Sequence, residues 1–329
     1  MATKSIGTAT RDYSTMQAWE DALLAILLEA ERGEMYNDSE FTANLNISAH
    51  VTTSTNTLTL TAASGQSFQD NANVRTNALK YNASNGVGVR GNFGYSQVIS
   101  ISGAVNDLFV SRLQLEQEAS AGNSEAFYAI ETVVVELKDM IIMKDATGGR
   151  VVNLQESSKA INVVAIHKGS GYDGAIRLRD TCTGIGCLCL NPSDISVTGN
   201  GFATSYSTAS IKSCGVFGMS TFSSGGTPTG SNNASDVTIG FGTSNQASLT
   251  YSQTTPFTDA DKDSLDLRLA DNGNSLINNG FLDSTNAPND ISGTARGASP
   301  EIGPWELGSA PSPVFGNTKQ FLNLLGVGT

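Results

Sequence analysis

Short apolar runs recur along most of this chain at intervals of about ten residues, and Gly, Asn, Asp and Ser fill the gaps between them. Runs of this length, bounded by turn-forming residues, are typical of short β-strands. The pattern predicts strands at 58–60, 98–101, 108–115, 133–135, 140–143, 151–154, 161–166, 176–178, 185–190, 195–197, 211–217 and 237–241.

The spacing of three of these runs predicts how the strands stack. The runs 140–144, 161–168 and 185–191 begin 21 and 24 residues apart, which is the size of one three-strand rung of a β-solenoid. Equivalent apolar side chains of neighbouring rungs then lie about 4.8 Å apart. A β-sandwich also contains many short strands, but the rung spacing favours an all-β parallel β-helix.

Near the N-terminus the pattern changes and predicts one amphipathic α-helix. Ser14 is a good N-cap with Gln17 three residues later, and Gly33 can terminate the helix in the left-handed conformation. We expect this helix, through Trp19, to cap the open apolar end of the first coil. Its predicted apolar face consists of Met16, Trp19, Leu23, Ile26, Leu27 and Ala30.

We divide the chain into four parts. An N-terminal turn and capping helix occupy 1–40, the coils 41–255, a closing segment 256–306, and a linker with an apolar arm 307–329. A Pro- and Ser-containing stretch precedes the arm, so the arm either docks onto another surface or folds back on its own coil. The arm residues that would make this contact are Phe321, Leu322, Leu324 and Leu325.

Charge narrows the classes of partner. The chain carries 19 Lys and Arg residues against 31 Asp and Glu residues, a formal net charge of −12. This balance argues against nucleic acid, because phosphate binding needs a basic surface, and it disfavours an anionic membrane. No stretch of 18 apolar residues and no apolar signal segment is found, so we expect assembly in a cytoplasm.

Candidate catalytic residues are sparse in the predicted coils. Asp139, Lys144 and Asp145 flank one strand, and a second polar group surrounds another strand. Charges that alternate in sign along a strand are more typical of a solvated ion-pair ladder than of a catalytic pair. We therefore predict no enzymatic activity. The second group consists of Asp173, Arg177, Arg179 and Asp180.

Metal, cofactor and glycan sites are likewise not indicated. Cys187 and Cys189 lie on one face of a strand, but their spacing differs from that of zinc modules, so we interpret these thiols, with Cys182 and Cys214, as buried small hydrophobes. His50 and His167 are far apart and are interpreted as structural or surface residues. Scattered aromatic residues are compatible with a glycan groove without indicating one. These are Phe93, Tyr95, Tyr172, Tyr206, Phe217 and Phe222.

Two segments resemble a known family. Residues 6–20 (IGTATRDYSTMQAWE) resemble the opening of phage-borne β-helix proteins. The closing series DLRL (266–269), SLINNG (275–280), DISGTAR (290–296) and EIGPWE (301–306) resembles the terminal pattern of right-handed parallel β-helices of the pectate-lyase-like superfamily. In that pattern Asp-Ile-Gly-Ala is common where this chain has 301–304 (EIGP), and Asp is common at Asn278.

The resemblance implies a right-handed coil and a structural role for the closing residues. It implies an end-cap turn network in which Arg296 bridges a carboxylate or backbone carbonyls. The family-matched residues of this network are Asp290, Gly293, Arg296, Gly303 and Glu306.

The same resemblance implies a bacteriophage virion component. We expect a capsid decoration (cement) protein, a homotrimer on the outer shell that contacts the major capsid protein or other virion proteins. The predicted helix begins by residue 15, which leaves no room for the N-terminal particle-binding domain typical of tailspikes. The alternative is a tail fibre or tailspike that binds or depolymerises a host polysaccharide, as a hydrolase or lyase.

Overall fold

A computed structural model describes residues 1–307 except 49, 71–76, 92–96, 104, 106, 119–123, 131, 146, 170–173, 195–198, 206–207 and 271–274. The predicted strand 195–197 and the predicted docking arm therefore lie outside the described residues. Within the described part of the chain, no helix is long and apolar enough to cross a membrane.

The chain consists mainly of short β-strands with one α-helix, α1 (Met16–Asp21), and one 3₁₀ turn, Ala83–Asn85. In chain order the strands are β1 (Ala2–Ile6), β2 (Glu31–Met35), β3 (Leu45–Ser48), β4 (Leu58–Ala62), β5 (Gly88–Gly91), β6 (Ile99–Ser102), β7 (Leu108–Ser111), β8 (Gln114–Gln117), β9 (Phe127–Ala129), β10 (Val135–Lys144), β11 (Val152–Leu154), β12 (Lys159–His167), β13 (Ile176–Arg179), β14 (Thr183–Ile185), β15 (Leu188–Leu190), β16 (Asn200–Ser205), β17 (Ser210–Lys212), β18 (Gly215–Phe217), β19 (Thr221–Gly225), β20 (Thr229–Ser231), β21 (Ala234–Ser235), β22 (Phe257–Asp259) and β23 (Asp266–Leu269).

These strands form a parallel β-solenoid of about seven complete turns with three faces. The first face is β1-β2-β4-β7-β10-β12-β14-β17-β20, and the third face is β3-β6-β9-β11-β13-β16-β19. Strands β10 and β12 continue around a corner into the second face, which also contains β5, β8, β15, β18 and β21. The predicted stacking is confirmed, because Met140 pairs with Val163 and Ile161 pairs with Ile185 on the next rung.

The N-terminal helix is much shorter than predicted. It spans Met16–Asp21, and its N-cap is Thr15, whose hydroxyl accepts from the Ala18 amide at 3.0 Å, rather than Ser14. Beyond residue 22 the chain forms the edge of the first turn, because the Val51 amide bonds the Ala25 carbonyl at 2.8 Å. Gly33 does not end a helix but lies in β2, packed against the Trp19 ring.

One predicted strand is absent. Residues 237–241 form no strand, although Val237, Ile239 and Phe241 pack against the core. Where the next rung would stack on β20 and β21, the described pairings are two isolated bridges, from Ser231 to Thr243 and from Ala234 to Gln246. The apolar side chains of 237–241 are thus partly buried and lie in a loop at the last turn rather than in another rung.

The second face is apolar on both of its surfaces. Its inward side chains, such as Ile142 and Ala165, join the core inside the coil. Its outward side chains, such as Val164 and Leu188, join a second core outside the coil. The C-terminal segment, residues 256–306, covers that outer surface, and each large side chain buried there stabilises the fold by roughly 1.5–3 kcal/mol. The segment contributes Phe257, Leu265, Leu267, Leu269, Leu276, Ile291, Ile302 and Trp305 to this second core.

A column of left-handed residues marks the corner between the first and second faces. The paired strands place one such residue at the same point of six successive rungs, each with φ between 52° and 60°. This conformation turns the chain sharply, so each strand of the first face leads into the second face. The corner column consists of Arg112, Asp139, Asn162, Gly186, Ser213 and Asn232.

We predict that Gly230→Ala weakens the last turn. A Cβ at Gly230, whose φ is 150°, would lie 1.7 Å from the Ile211 carbonyl oxygen, and backbone cannot yield as a side chain can. The free energy of unfolding, measured by urea denaturation, should fall by roughly 1–3 kcal/mol. Gly240→Ala is the matched control, because a Cβ there meets nothing within 4 Å. Equal midpoints for the two variants would contradict the prediction.

Candidate functional site

The predicted polar group on β13 makes contacts between rungs. The Arg177 guanidinium donates to the Ser205 hydroxyl at 3.4 Å, and the Asp180 amide donates to the Ser205 carbonyl at 3.2 Å. Asp180 has a φ of 55° and occupies a turn at the end of the strand. Asp173 lies outside the described residues. These two contacts connect β13 with β16, and both are hydrogen bonds.

The structure separates the other predicted group, Asp139, Lys144 and Asp145. Asp139 belongs to the corner column and faces the C-terminal segment, where its carboxylate accepts from the Asn162 amide at 2.9 Å. Desolvation raises the pKa of Asp139 to about 6. Lys144 points into the coil instead and is fully buried. In a regular strand, side chains alternate between the two faces. The left-handed turn at Asp139 interrupts this alternation, so the sequence positions of Asp139 and Lys144 do not show which way each side chain faces.

A buried polar stack runs through the coil and was not predicted. Gln117, Lys144 and His167 pair on successive rungs, and Asn191 follows on the next rung. The Lys144 ammonium donates to the Ser124 backbone carbonyl and to its hydroxyl. Burial lowers the pKa of Lys144 to about 8, and burial together with the Lys144 charge lowers that of His167 to about 4. All four side chains of the stack are fully buried, so the groups act within the fold.

A second unpredicted group gathers three carboxylates around Arg90. The Arg90 guanidinium contacts Glu40 at 3.0 Å, Glu116 at 3.1 Å and Glu118 at 2.8 Å. The Tyr81 hydroxyl donates to Glu40 at 2.7 Å. Arg90 and Glu116 pair on neighbouring strands β5 and β8, whereas Glu40 is fifty residues from Arg90 in sequence. The spacing of the strands could have suggested the contact between Arg90 and Glu116, but not the addition of Glu40 to the group.

The Arg90 group is one place where a hydrolytic carboxylate pair could be sought. Desolvation raises the pKa of Glu116 to about 7, although the Arg90 charge opposes the shift. A raised carboxyl pKa is what a general acid requires. However, a hydrolytic pair also requires one carboxylate that faces a substrate, and here each carboxylate accepts from the same guanidinium. The arrangement therefore fits a clamp between rungs better than a catalytic pair.

The family-matched closing residues lie along the flank of the solenoid and not across its end. The Arg296 guanidinium contacts the Glu306 carboxylate, the Gly303 carbonyl at 2.8 Å and the Asn162 amide oxygen at 3.1 Å. Asp290 accepts from the Glu306 amide at 3.0 Å. Arg296 thus contacts a carboxylate and a carbonyl of its own segment, and its Asn162 contact anchors that segment to the middle rungs.

The remaining matched residues take ordinary structural positions. Gly293 has a φ of 82° in the turn that follows Asp290, whose carboxylate accepts from the Ser292 and Thr294 amides. Trp19 is fully buried in the first turn of the coil, far in sequence from the others. The predicted end-cap residues thus form two separate features: Trp19 in the first turn, and the closing residues on the flank. The predicted docking arm lies outside the described residues.

Glu306 and Glu301 form a carboxyl pair beside Arg296. Burial and a hydrogen bond with Glu301 raise the pKa of Glu306 to about 9, against the opposing effect of the Arg296 charge. The pair therefore retains one proton near neutral pH. Its remaining negative charge is balanced by the Arg296 guanidinium. Such a pair stabilises the folded state only while that proton is present.

The four cysteines are buried free thiols, and burial raises the pKa of Cys182 to about 12. Within the described residues, no group of three or more His, Cys, Asp and Glu side chains could hold a metal ion. His50 is buried in the first turn, where its ring nitrogens lie 3.0 Å from the Leu24 carbonyl and 2.8 Å from Glu20.

Most of the aromatic residues considered for a glycan groove are core residues or lie outside the described chain. Phe217 and Phe222 are buried, while Phe93, Tyr95, Tyr172 and Tyr206 are outside the described residues. An exposed aromatic side chain on the coil itself is instead Phe109, 37% exposed on the first face. It lines a cleft of about 200 Å³ whose polar lining residues are Asp107, Glu136, Ser157 and Lys159.

Comparisons with known proteins find a distant structural similarity. No protein-family model matches the chain, and no curated protein matches it. Among solved structures, the pectin methylesterase from Aspergillus niger in deglycosylated form is similar at 13% identity with a TM-score of 0.32. The match covers 80% of this chain and 93% of that chain. At this similarity, the comparison carries no argument about this chain.

We predict that the Glu306 carboxyl makes the C-terminal segment pH-sensitive. The unfolded carboxyl releases its proton near pH 4.5 and the folded one near pH 9, so the free energy of unfolding falls between these values as the pH rises. The slope from this group is at most about 1.4 kcal/mol per pH unit. Glu306→Gln, which cannot ionise, should gain stability relative to wild type from pH 5 to pH 9.

The measurement is urea unfolding of both proteins at pH 5, 7 and 9. The quantity compared is the difference between variant and wild type at each pH, because the pKa values of Lys144 and His167 are lowered and their titrations oppose that of Glu306. Glu156→Gln serves as the control, since the Glu156 side chain is exposed. A difference for Glu306→Gln that is constant across this range would show that the carboxyl is already ionised when folded.

Proposed function

We propose that this chain is a structural virion protein of a bacteriophage: a capsid decoration protein, right-handed in its coil, that forms homotrimers on the outer shell. The observation that carries the proposal is the closed second face, whose outer surface is buried under the C-terminal segment. A solenoid closed in this way is a rigid rod rather than an open groove. Its partners would be its own copies and the major capsid protein or other virion proteins.

The charge of the chain supports the same proposal. A net charge of −12 keeps a protein soluble at the high local density of a virion surface. The resemblance of residues 6–20 and of the closing series to phage-borne β-helix proteins supplies the virion context. Assembly would take place in the host cytoplasm.

The proposal assigns no enzymatic role to this chain. The three carboxylates around Arg90 are joined to one guanidinium, and the charged side chains beside the C-terminal segment bond to one another or to backbone. Removing one partner of such a group leaves a partly buried charge without its counter-ion, which is costly to stability. Structural clamps account for these groups without invoking turnover.

We predict a trimer in solution and a shell location in the virion. Light scattering at micromolar concentration should give three times the 34.3 kDa mass of one chain. Cryo-electron microscopy of intact virions should place the solenoid density at three-fold or quasi-three-fold positions on the shell. A monomeric mass would remove the trimer from the proposal, and density at the tail tip would replace decoration with the tail-fibre alternative.

The alternative function is a tail fibre or tailspike that binds or depolymerises a host polysaccharide. The Phe109 cleft favours it, because an exposed aromatic ring beside Asp107, Glu136 and Lys159 offers stacking and hydrogen-bonding groups to a sugar. The Glu136 carboxylate and the Lys159 ammonium are 4.0 Å apart across this cleft.

If the alternative holds, Phe109→Ala should weaken binding to purified host surface polysaccharide about tenfold, a loss typical of a stacking aromatic. Phe281→Ala is the matched control, because Phe281 is similarly exposed at 41% but lies on the C-terminal segment. Isothermal titration with both variants distinguishes the two sites. Undetectable binding by the wild-type protein, or equal weakening by both variants, would count against a glycan site at Phe109.

A further inference from the structure

An exposed apolar edge lies at the N-terminal end of the solenoid. Leu24, Ile26, Leu28 and Val51 are exposed at 58%, 62%, 78% and 45%, although they are large apolar side chains. We call these four residues the N-terminal apolar edge. Ile26 and Val51 are bridge partners, so these two side chains belong to adjacent extended segments.

The backbone of this edge is paired on one side only. The Leu27 amide bonds the Val51 carbonyl at 3.3 Å, and the Val51 amide bonds the Ala25 carbonyl at 2.8 Å. In a parallel pair the alternate amides, here those of Ile26 and Leu28, point away from the partner. Among the described residues, neither of these two amides has a recorded backbone partner.

The edge is held in a fixed position by polar contacts at both ends. The buried His50 ring contacts the Leu24 carbonyl and Glu20. The amino group of Met1 pairs with Glu29 at 3.0 Å. The exposure of the four apolar side chains is therefore a feature of an ordered surface.

An ordered, apolar and unpaired strand edge is a template for another strand, and natural proteins cover such edges. The chain contains one suitable segment outside the described residues, the arm at 321–327. It is apolar except for Asn323, and Lys319, just before it, is the sole charged side chain in 308–329. The edge is flanked by the exposed carboxylates of Asp21 and Glu29, which complement that charge.

The arm can reach the edge of its own chain. The described chain leaves the solenoid at Leu307, beside Leu269 and Trp305. Strand β23 is near the early turns, because the Leu267 amide bonds the Ala78 carbonyl at 2.8 Å. The linker 308–320 spans up to about 43–47 Å when extended, enough to pass around a narrow coil.

We propose that the arm at 321–327 covers the N-terminal apolar edge of its own chain, adding a strand beside Ile26 and Leu28. This contact closes the first turn and protects it from edge-to-edge association. The proposal is independent of the virion assignment, since it concerns contacts within one chain.

Trypsin cleavage at Lys319 tests the proposal on the full chain. A covered edge holds the arm and protects Lys319, so wild type should be cut slowly and Leu28→Asp about tenfold faster. Leu28 is exposed, so this substitution leaves the core intact. Phe281→Asp, at an exposed apolar residue elsewhere, should cleave at the wild-type rate. Rapid cleavage at Lys319 in wild type, unchanged by Leu28→Asp, would overturn the proposal.

Disulfide trapping identifies the occupant. The pair Leu28→Cys with Leu324→Cys should cross-link within one chain at about ten times the yield of Phe281→Cys with Leu324→Cys. The native cysteines do not interfere because all four are buried. Equal yields for the two pairs would overturn the proposal. So would a cross-link between two chains, which would assign the edge to a neighbouring copy.

Discussion

The structure depends on the burial of both surfaces of its second face. Parallel pairing stacks equivalent side chains of successive rungs, so alternate positions of each strand face inward and outward along the whole column. On the first and third faces the outward columns are largely polar. On the second face they contain residues such as Val164, Leu188 and Phe217, which are fully or almost fully buried. A coil with this sequence requires a cover, and the C-terminal segment provides it.

The cover also determines where the charged residues lie. The segment follows the corner column, bonding Asn232 and Ser213, then Lys159 and Asn162, before its Gln69 contact near the early turns. It then returns, so that Arg296 and Gly303 meet the middle rungs. Carboxyl groups between the C-terminal segment and the coil are desolvated, which raises the pKa of Glu306 and Asp139. Their titration therefore reports on the attachment of the segment.

The coil could be predicted because its strands repeat along the chain. The features that the sequence did not predict lack such a repeat. The runs in β10, β12 and β15 are nearly continuously apolar because both surfaces are buried, and the rung spacing followed from them. Residues 22–33 also satisfied a helical pattern, but helix propensity is a weak prior that pairing with the next turn overrides. The Arg90 group and the buried polar stack join residues from different rungs, so no pattern within a short stretch of sequence predicts them. The closing motif was visible, whereas its location on the flank required the tertiary packing.

A solenoid held only by neighbouring rungs would open from its ends, because each turn contacts just the two beside it. The C-terminal segment changes this, since one continuous stretch of chain bonds the last turn at Asn232 and the early turns at Gln69. Opening an end rung therefore also strains contacts on distant rungs, which couples local opening to global unfolding. Slow, cooperative unfolding is the property that a long-lived scaffold needs most. Among the described residues, the same covering leaves the N-terminal apolar edge and the Phe109 cleft exposed, so burial of apolar surface at either place would gain free energy.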